Sequence, residues 1–247
     1  MSVEVLKSRA EIDEARRELD RRGWSTLSPW WRVAAETRGL RLPGVVVGDR
    51  RKSWDVLKTL QFIADRVPKD GAVLDVGCYG SEVICSLHRM GYRRLHGLDF
   101  NPRIARMPFA TTVDYRVGDF MSAPFERGAF HAVTAISVIE HGFDGDRLLA
   151  EMSRLLAPGG CFIASFDYWP EKIDTRGVDH FGLSWRIFSA PEVEGLVHDA
   201  ARFAMRAHGA LHLDARDRPI QHAGHDYTFG WLALQRDGRP ADAPPQG

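Results

Sequence analysis

Past Gly71 the chain alternates short, unbroken apolar runs with stretches of helical periodicity, and few folds accept that pattern. "AVLDVG", "RLHGLDF", "VDYRVGDF", "FHAVTAISV" and "CFIASFDY" read as strands, and "SEVICSLHRM" and "DRLLAEMSRLLA" among them read as helices. The strand runs do not alternate polar with apolar residues, so both of their faces must be covered. Strands that alternate with helices build a mainly parallel sheet with helices on both sides. At 247 residues the chain can bury such a core as one α/β domain with an appendage.

The flanks are less regular. Residues 9–22 predict a helix with Ile12, Ala15 and Leu19 on one face, and residues 53–67 predict a second. Three of the seven tryptophans (Trp24, Trp30 and Trp31) fall between these helices. Residues 1–55 are therefore expected as an N-terminal helical extension. It is either a lid over a pocket or a dimerisation arm, and a homodimer stays open. Residues 56–237 form the main domain. Toward its end "APEVEGLVHDAARFA" predicts a helix with Pro191 in its first turn. "FAMRAHGALHL" and "YTFGWLALQR" predict the last two strands, and 238–247 predict a disordered tail rich in Pro, Gly and Ala. Lys and Arg total 33, as do Asp and Glu, which gives no support for nucleic acid or an anionic membrane as partner. The start lacks the apolar stretch of a secretory signal, no run is long enough to span a bilayer, and the three cysteines read as reduced thiols. The expectation is a cytoplasmic protein.

Ligands of parallel α/β sheets bind beyond the carboxyl ends of the strands. The loop "VGCYGSE" after the first sheet strand is in that place. A dinucleotide fingerprint counted from Gly77 would need glycine where Tyr79 and Glu82 stand, and Glu82 at a helix N-terminus would repel a pyrophosphate. No Gly-Lys-Ser/Thr follows, so a P-loop is excluded as well. A nucleoside ligand without phosphates needs no anion cradle, and S-adenosylmethionine is one. Gly77 and Gly80 would let the backbone approach it closely, and Asp75 could face its cationic end. Asp99 ends the next strand, where a carboxylate can accept both ribose hydroxyls. Phe100 could cover the adenine, and Asp119 could accept the adenine amine.

With these residues in place the chain resembles the class I S-adenosylmethionine-dependent methyltransferases. "VLDVGCYGS" is similar to their first motif, with Tyr79 and Ser81 where glycine is usual. "LHGLDFNP" resembles the ribose turn, "VGDFMSAPFERGAFHAVTAISVIEHG" the adenine turn and fourth strand, and "LLAEMSRLLAPGGCFIASF" the following helix, turn and fifth strand. The resemblance spans about residues 70–168. It implies a Rossmann-like seven-stranded sheet with the last strand antiparallel, and S-adenosylmethionine as cofactor. The cofactor-side residues are then Asp75, Gly77, Tyr79, Gly80, Asp99, Phe100, Asp119, Phe120 and Ile136. Tyr79 either offers its ring or hydroxyl to the adenosyl group or packs over the first helix.

The acceptor would be a small molecule, such as a natural-product or sugar intermediate. His141, in "SVIEHG", is the candidate base. Glu140 either serves the cofactor side or caps the next helix. The long stretch "SFDYWPEKIDTRGVDHFGLSWRIFS" mixes rings with polar groups and is the expected acceptor wall, with Asp167, Tyr168 and His180 as its substrate-side residues. His222 and His225 are spaced like some metal ligands, but no third ligand accompanies them, and no metal is expected. Two other functions stay open: transfer or cyclisation of the cofactor's aminocarboxypropyl arm, releasing methylthioadenosine, and a non-catalytic nucleoside-binding protein.

Overall fold

The structure is a computed structural model that describes residues 3–40, 44–207 and 209–238. In chain order the elements are β1 (Val3–Val5), α1 (Arg9–Arg21), α2 (Trp30–Thr37), α3 (Ser53–Arg66), β2 (Val73–Val76), α4 (Glu82–Arg89), β3 (Leu95–Asp99), β4 (Asp114–Val117) and β5 (Phe130–Ile136). Then follow α5 (Gly145–Leu155), β6 (Leu156–Tyr168), β7 (Asp179–His180), β8 (Leu183–Ser184), α6 (Ala190–Ala200), β9 (Met205–Ala207), β10 (Ile220–His222) and β11 (His225–Arg236). The main sheet runs β1-β11-β6-β5-β2-β3-β4, and β9 and β10 also pair with β11. Strands β4, β3, β2, β5 and β6 are mutually parallel, and β11 is antiparallel to β6. This is the Rossmann-like sheet that the alternating pattern requires.

The strands lack polar alternation because both faces are packed. Leu74, Val133 and Phe162 lie in one buried cluster with Leu148 and Met152 of α5 and Val193 of α6. Their neighbours Val73, Ala132 and Ile163 lie in the other, with Leu60 of α3 and Val83 of α4. Local signals close the helices. Ser81 accepts a hydrogen bond from the Val83 amide at the start of α4, and Ser189 with Glu192 forms a capping box on α6.

Two expectations change. "FAMRAHGALHL" supplies only three strand residues, β9, against Leu234–Arg236. The rest of that edge is filled from the other end of the chain: β1 pairs antiparallel with Gly230–Leu232. The N-terminal segment, expected to be wholly helical, thus adds a strand to the sheet. Its hold is reinforced by Arg16 of α1, whose guanidinium donates to both carboxylate oxygens of Glu82 at 2.8 and 2.7 Å. Both side chains are almost fully buried. Glu82, which excluded a pyrophosphate, is therefore a clamp for the N-terminal segment. Residues 239–247 of the expected tail lie outside the described residues.

Candidate active site

A cavity of about 880 Å³ opens over the carboxyl ends of β2, β3, β4 and β5. The β2–α4 loop supplies Gly77, Tyr79 and Gly80, the β3 end Leu98, Asp99 and Phe100, the β4 end Gly118 and Phe120, and the β5 end Ile136, Ser137, Val138 and His141. Gly48, Asp49 and Lys52 close one side, and Phe181 and Leu183 of the β7–β8 hairpin close another. Part of the N-terminal segment therefore forms a wall of the cavity. Trp30 and Trp31 are exposed on α2, at 81 and 53 %.

At the cofactor end the pieces interlock. Gly77 has φ +65°, and a Cβ there would meet Val138 Cγ2 at 2.2 Å. Gly80 has φ +78°, and its carbonyl accepts the Gly48 amide at 2.8 Å. Both positions require glycine. One Asp99 oxygen accepts the Tyr79 amide at 2.9 Å and the other accepts the Asn101 amide at 2.8 Å. A carboxylate has about four lone-pair sites, so roughly two are left for a vicinal diol. Tyr79 lines the cavity, with the Arg103 guanidinium 5.5 Å from its ring centroid.

Two expected cofactor residues do not reach the wall. Asp75 is buried beneath the loop, where it accepts the Thr134 hydroxyl at 2.6 Å, and burial raises its pKa to about 6. Its strand is covered on both faces, so its side chain braces the sheet from within. The Asp119 carboxylate turns back to accept the Met121 amide at 2.8 Å, while Phe120 beside it lines the cavity.

The acceptor end is polar and mostly buried. Lys52 hydrogen-bonds Ser137, lies 3.5 Å from the Phe229 ring centroid and is 4.0 Å from Asp167 Oδ1. Ser137 holds φ +52°, a left-handed conformation that is costly for a serine. Asp167 accepts the Trp185 indole N–H at 2.8 Å. Burial raises its pKa, with Lys52 pulling the other way. Burial and the neighbouring Asp167 drive Glu140 well above the usual carboxylate range. Asp55, fully buried, accepts the Ser165 hydroxyl at 2.8 Å and is raised by burial to about 6. Burial, His180 and Lys52 push His141 down to about 4, so the imidazole is neutral over the physiological range.

Of the four expected catalytic residues, His141 lines the cavity. His180 stands behind it, with ring centroids 5.9 Å apart. Asp167 lies under Lys52. Tyr168 does not join them: one residue further along β6 its side chain points to the opposite face, fully buried, and its hydroxyl donates to the Leu213 carbonyl at 2.7 Å. Glu140 caps no helix, because Asp144 caps α5. His222 reaches the same corner, 4.8 Å from the His180 ring centroid. Among the described residues no group of three or more His, Cys, Asp or Glu is placed to hold a metal. Lys52 is a cavity-lining residue that sequence reasoning missed. Set in "DRRKSWD", it reads as one of three solvated cations.

These features fit S-adenosylmethionine. Gly77 admits no side chain, the Asp99 carboxylate is fixed with acceptor capacity to spare, and Leu98, Phe100, Phe120 and Ile136 offer apolar surface to a base. Lys52, the one Lys or Arg among the described lining residues, is held at Ser137.

Comparison with known proteins agrees. Residues 74–164 match the family model described as a methyltransferase domain. A ubiquinone biosynthesis O-methyltransferase of Xanthomonas oryzae pv. oryzae (strain PXO99A) is 32% identical over 120 residues, 45% of this chain and 50% of that protein. The chain thus spans about half the length of the curated relatives it matches. Among solved structures, a geranyl diphosphate C-methyltransferase from Streptomyces coelicolor A3(2), in complex with Mg2+, geranyl diphosphate and S-adenosyl-L-homocysteine, superposes with a TM-score of 0.55 at 18% identity. That match covers 94% of this chain and 99% of the other. The [4+2]-cyclase SpnF gives a TM-score of 0.58 at 19% identity over 77% of this chain and 84% of that one. Residues 74–164 thus form a methyltransferase domain of the class I S-adenosylmethionine-dependent kind, with S-adenosylmethionine as its cofactor.

Proposed function

We propose that the protein transfers a methyl group from S-adenosylmethionine to a small-molecule acceptor, a natural-product or sugar intermediate, bound between Lys52, His141 and the β7–β8 hairpin. One observation carries this reading: a single cavity joins a phosphate-free nucleoside end, organised by Asp99, to an enclosed polar end that holds a neutral imidazole. The bound cofactor supplies an electrophilic methyl group. The chain's own work is alignment and exclusion of water. Asp99, with the two loop amides it holds, fixes the ribose. Gly77 and Gly80 let the β2–α4 loop lie close against the ligand. Phe181 and Leu183 cover the acceptor, and the His141 imidazole accepts a proton where the acceptor has one to lose.

The names of the relatives support a small acceptor, one being an O-methyltransferase of ubiquinone biosynthesis and another a geranyl diphosphate C-methyltransferase. The likeness to a [4+2]-cyclase shows that this fold alone does not decide the chemistry. Product analysis does. Incubation of the protein and S-adenosylmethionine with a library of small hydroxylated acceptors is expected to yield S-adenosylhomocysteine with a methylated acceptor. Release of methylthioadenosine, or bound cofactor that never turns over, would contradict the proposal.

A further inference from the structure

The acceptor end is wired around Lys52 in a way that methyl transfer as such does not require. Buried side-chain polar atoms of Asp55, Glu140, His141, Asp167 and His180, all at this end, have no hydrogen-bond partner among the described residues. Such atoms are rare in folded proteins and cluster where a ligand or water completes the set. Three buried carboxyl groups face one ammonium. Lys52 lies 4.0 Å from Asp167, and its charge acts on Asp55 and Glu140 as well. They hold the ammonium at the cavity wall, against Ser137 and the Phe229 ring. His141 lines the same cavity and feels the Lys52 charge, with neither ring nitrogen hydrogen-bonded to another described residue. A fixed cation beside a free neutral imidazole offers two complementary functions: one group can take a proton, and the other can stabilise the anion left behind.

We propose that Lys52 and His141 together select an acceptor with an ionisable hydroxyl, a phenol or enol, the Lys52 ammonium stabilising its oxyanion and the His141 imidazole accepting its proton. This rests on the methyltransferase reading above. In the step, the acceptor O–H bond breaks and its proton goes to the imidazole. The oxygen forms a bond to the methyl carbon as the methyl–sulfur bond breaks. The sulfonium becomes a neutral thioether, and the positive charge ends on His141. An aliphatic alcohol gives almost no anion near neutral pH, whereas phenols ionise near pH 10 and an adjacent cation brings them lower. An ammonium acceptor would meet Lys52 as a like charge. Phe181, Leu183 and Val138 supply the apolar walls a planar ring needs.

The probe is 4-nitrophenol, whose anion is coloured, titrated in the presence of protein saturated with S-adenosylhomocysteine. Calorimetry of S-adenosylhomocysteine is run on the same samples. Wild type is expected to lower the apparent pKa of bound 4-nitrophenol by about one to three units. Lys52→Met is expected to abolish the shift while the S-adenosylhomocysteine Kd stays within about threefold, and Lys52→Arg, which keeps the charge on the buried carboxylates and so guards against misfolding, to retain part of it. Cyclohexanol is expected not to displace the probe. An unshifted or unbound probe in wild-type protein that binds S-adenosylhomocysteine would overturn the proposal. So would an equal shift in Lys52→Met, or a tenfold loss of S-adenosylhomocysteine affinity in that variant, which would make Lys52 a holder of the cofactor's carboxylate. Wild-type protein that binds no S-adenosylhomocysteine would bring down the methyltransferase reading itself, and this proposal with it.

Discussion

Replacing Gly77 with alanine puts two separable costs on the loop that carries the cofactor site. The first is conformational. At φ +65° a Cβ-bearing residue sits in the left-handed region, at about 1–2 kcal/mol. The second is steric. The new methyl would stand 2.2 Å from Val138 Cγ2, and an added carbon in a packed site costs about 1–3 kcal/mol. Together they amount to about 2–5 kcal/mol, against a total stability of about 5–15 kcal/mol for a domain of ordinary stability. Val138→Ala removes the clashing methyls and leaves the backbone cost in place. The double variant should therefore recover the steric part, giving a coupling of about 1–3 kcal/mol in a double-mutant cycle. Urea denaturation measures the stability terms. S-adenosylhomocysteine calorimetry reads the same cycle at the site, where Gly77→Ala should weaken binding and Val138→Ala should restore part of it. A Gly77→Ala protein as stable as wild type, or two strictly additive substitutions, would refute the reasoning.

Other consequences follow from buried charge. Arg16→Ala leaves Glu82 without its counter-charge under the N-terminal segment and should cost about 3–5 kcal/mol in urea melts, while the paired change Arg16→Met with Glu82→Leu should cost much less; equal losses would show that the pair is no clamp. Asp55 titrates near 6 when folded and near 3.8 as a free carboxyl. The folded state holds the extra proton between those values, so stability falls as pH rises through about 4 to 6, and the full penalty is present above that range. Asp55→Asn should accordingly be more stable than wild type at pH 8 by up to about 3 kcal/mol, with the advantage gone by pH 4, and a pH-independent difference would contradict the burial argument. His141 works in the opposite sense, its neutral form favoured by folding, but it is common to both proteins and cancels in their difference.

The sheet was legible because burial on both faces leaves a local mark, the uninterrupted apolar run. The cofactor end was legible for a related reason: Gly77, Gly80 and Asp99 sit at the ends of such runs, where the loops must turn. What was not legible depends on long-range pairing. β1 is three residues long, and its partners lie at Gly230–Leu232, so nothing in "VEV" announces a sheet edge. Asp167 and Tyr168 looked equivalent in sequence, yet the two-residue period of β6 sends one toward Lys52 and Trp185 and the other into the core on the opposite face. Lys52 resembles its basic neighbours until tertiary packing carries its ammonium to Ser137. Asp75 and Asp119 lie at or near strand ends, but one oxygen of each is taken, by the Thr134 hydroxyl and by the Met121 amide, and neither lines the cavity.

The central claim is that the strand-end loops grip an adenosyl ligand through the Asp99 carboxylate, and calorimetry of S-adenosylhomocysteine with wild type and Asp99→Ala tests it most directly. The account predicts saturable binding by wild type and a loss of about 1.5–3 kcal/mol in the variant, roughly 10- to 150-fold in Kd, with neither NAD nor ATP competing. Equal affinity in the two proteins, or displacement of the ligand by ATP, would contradict it.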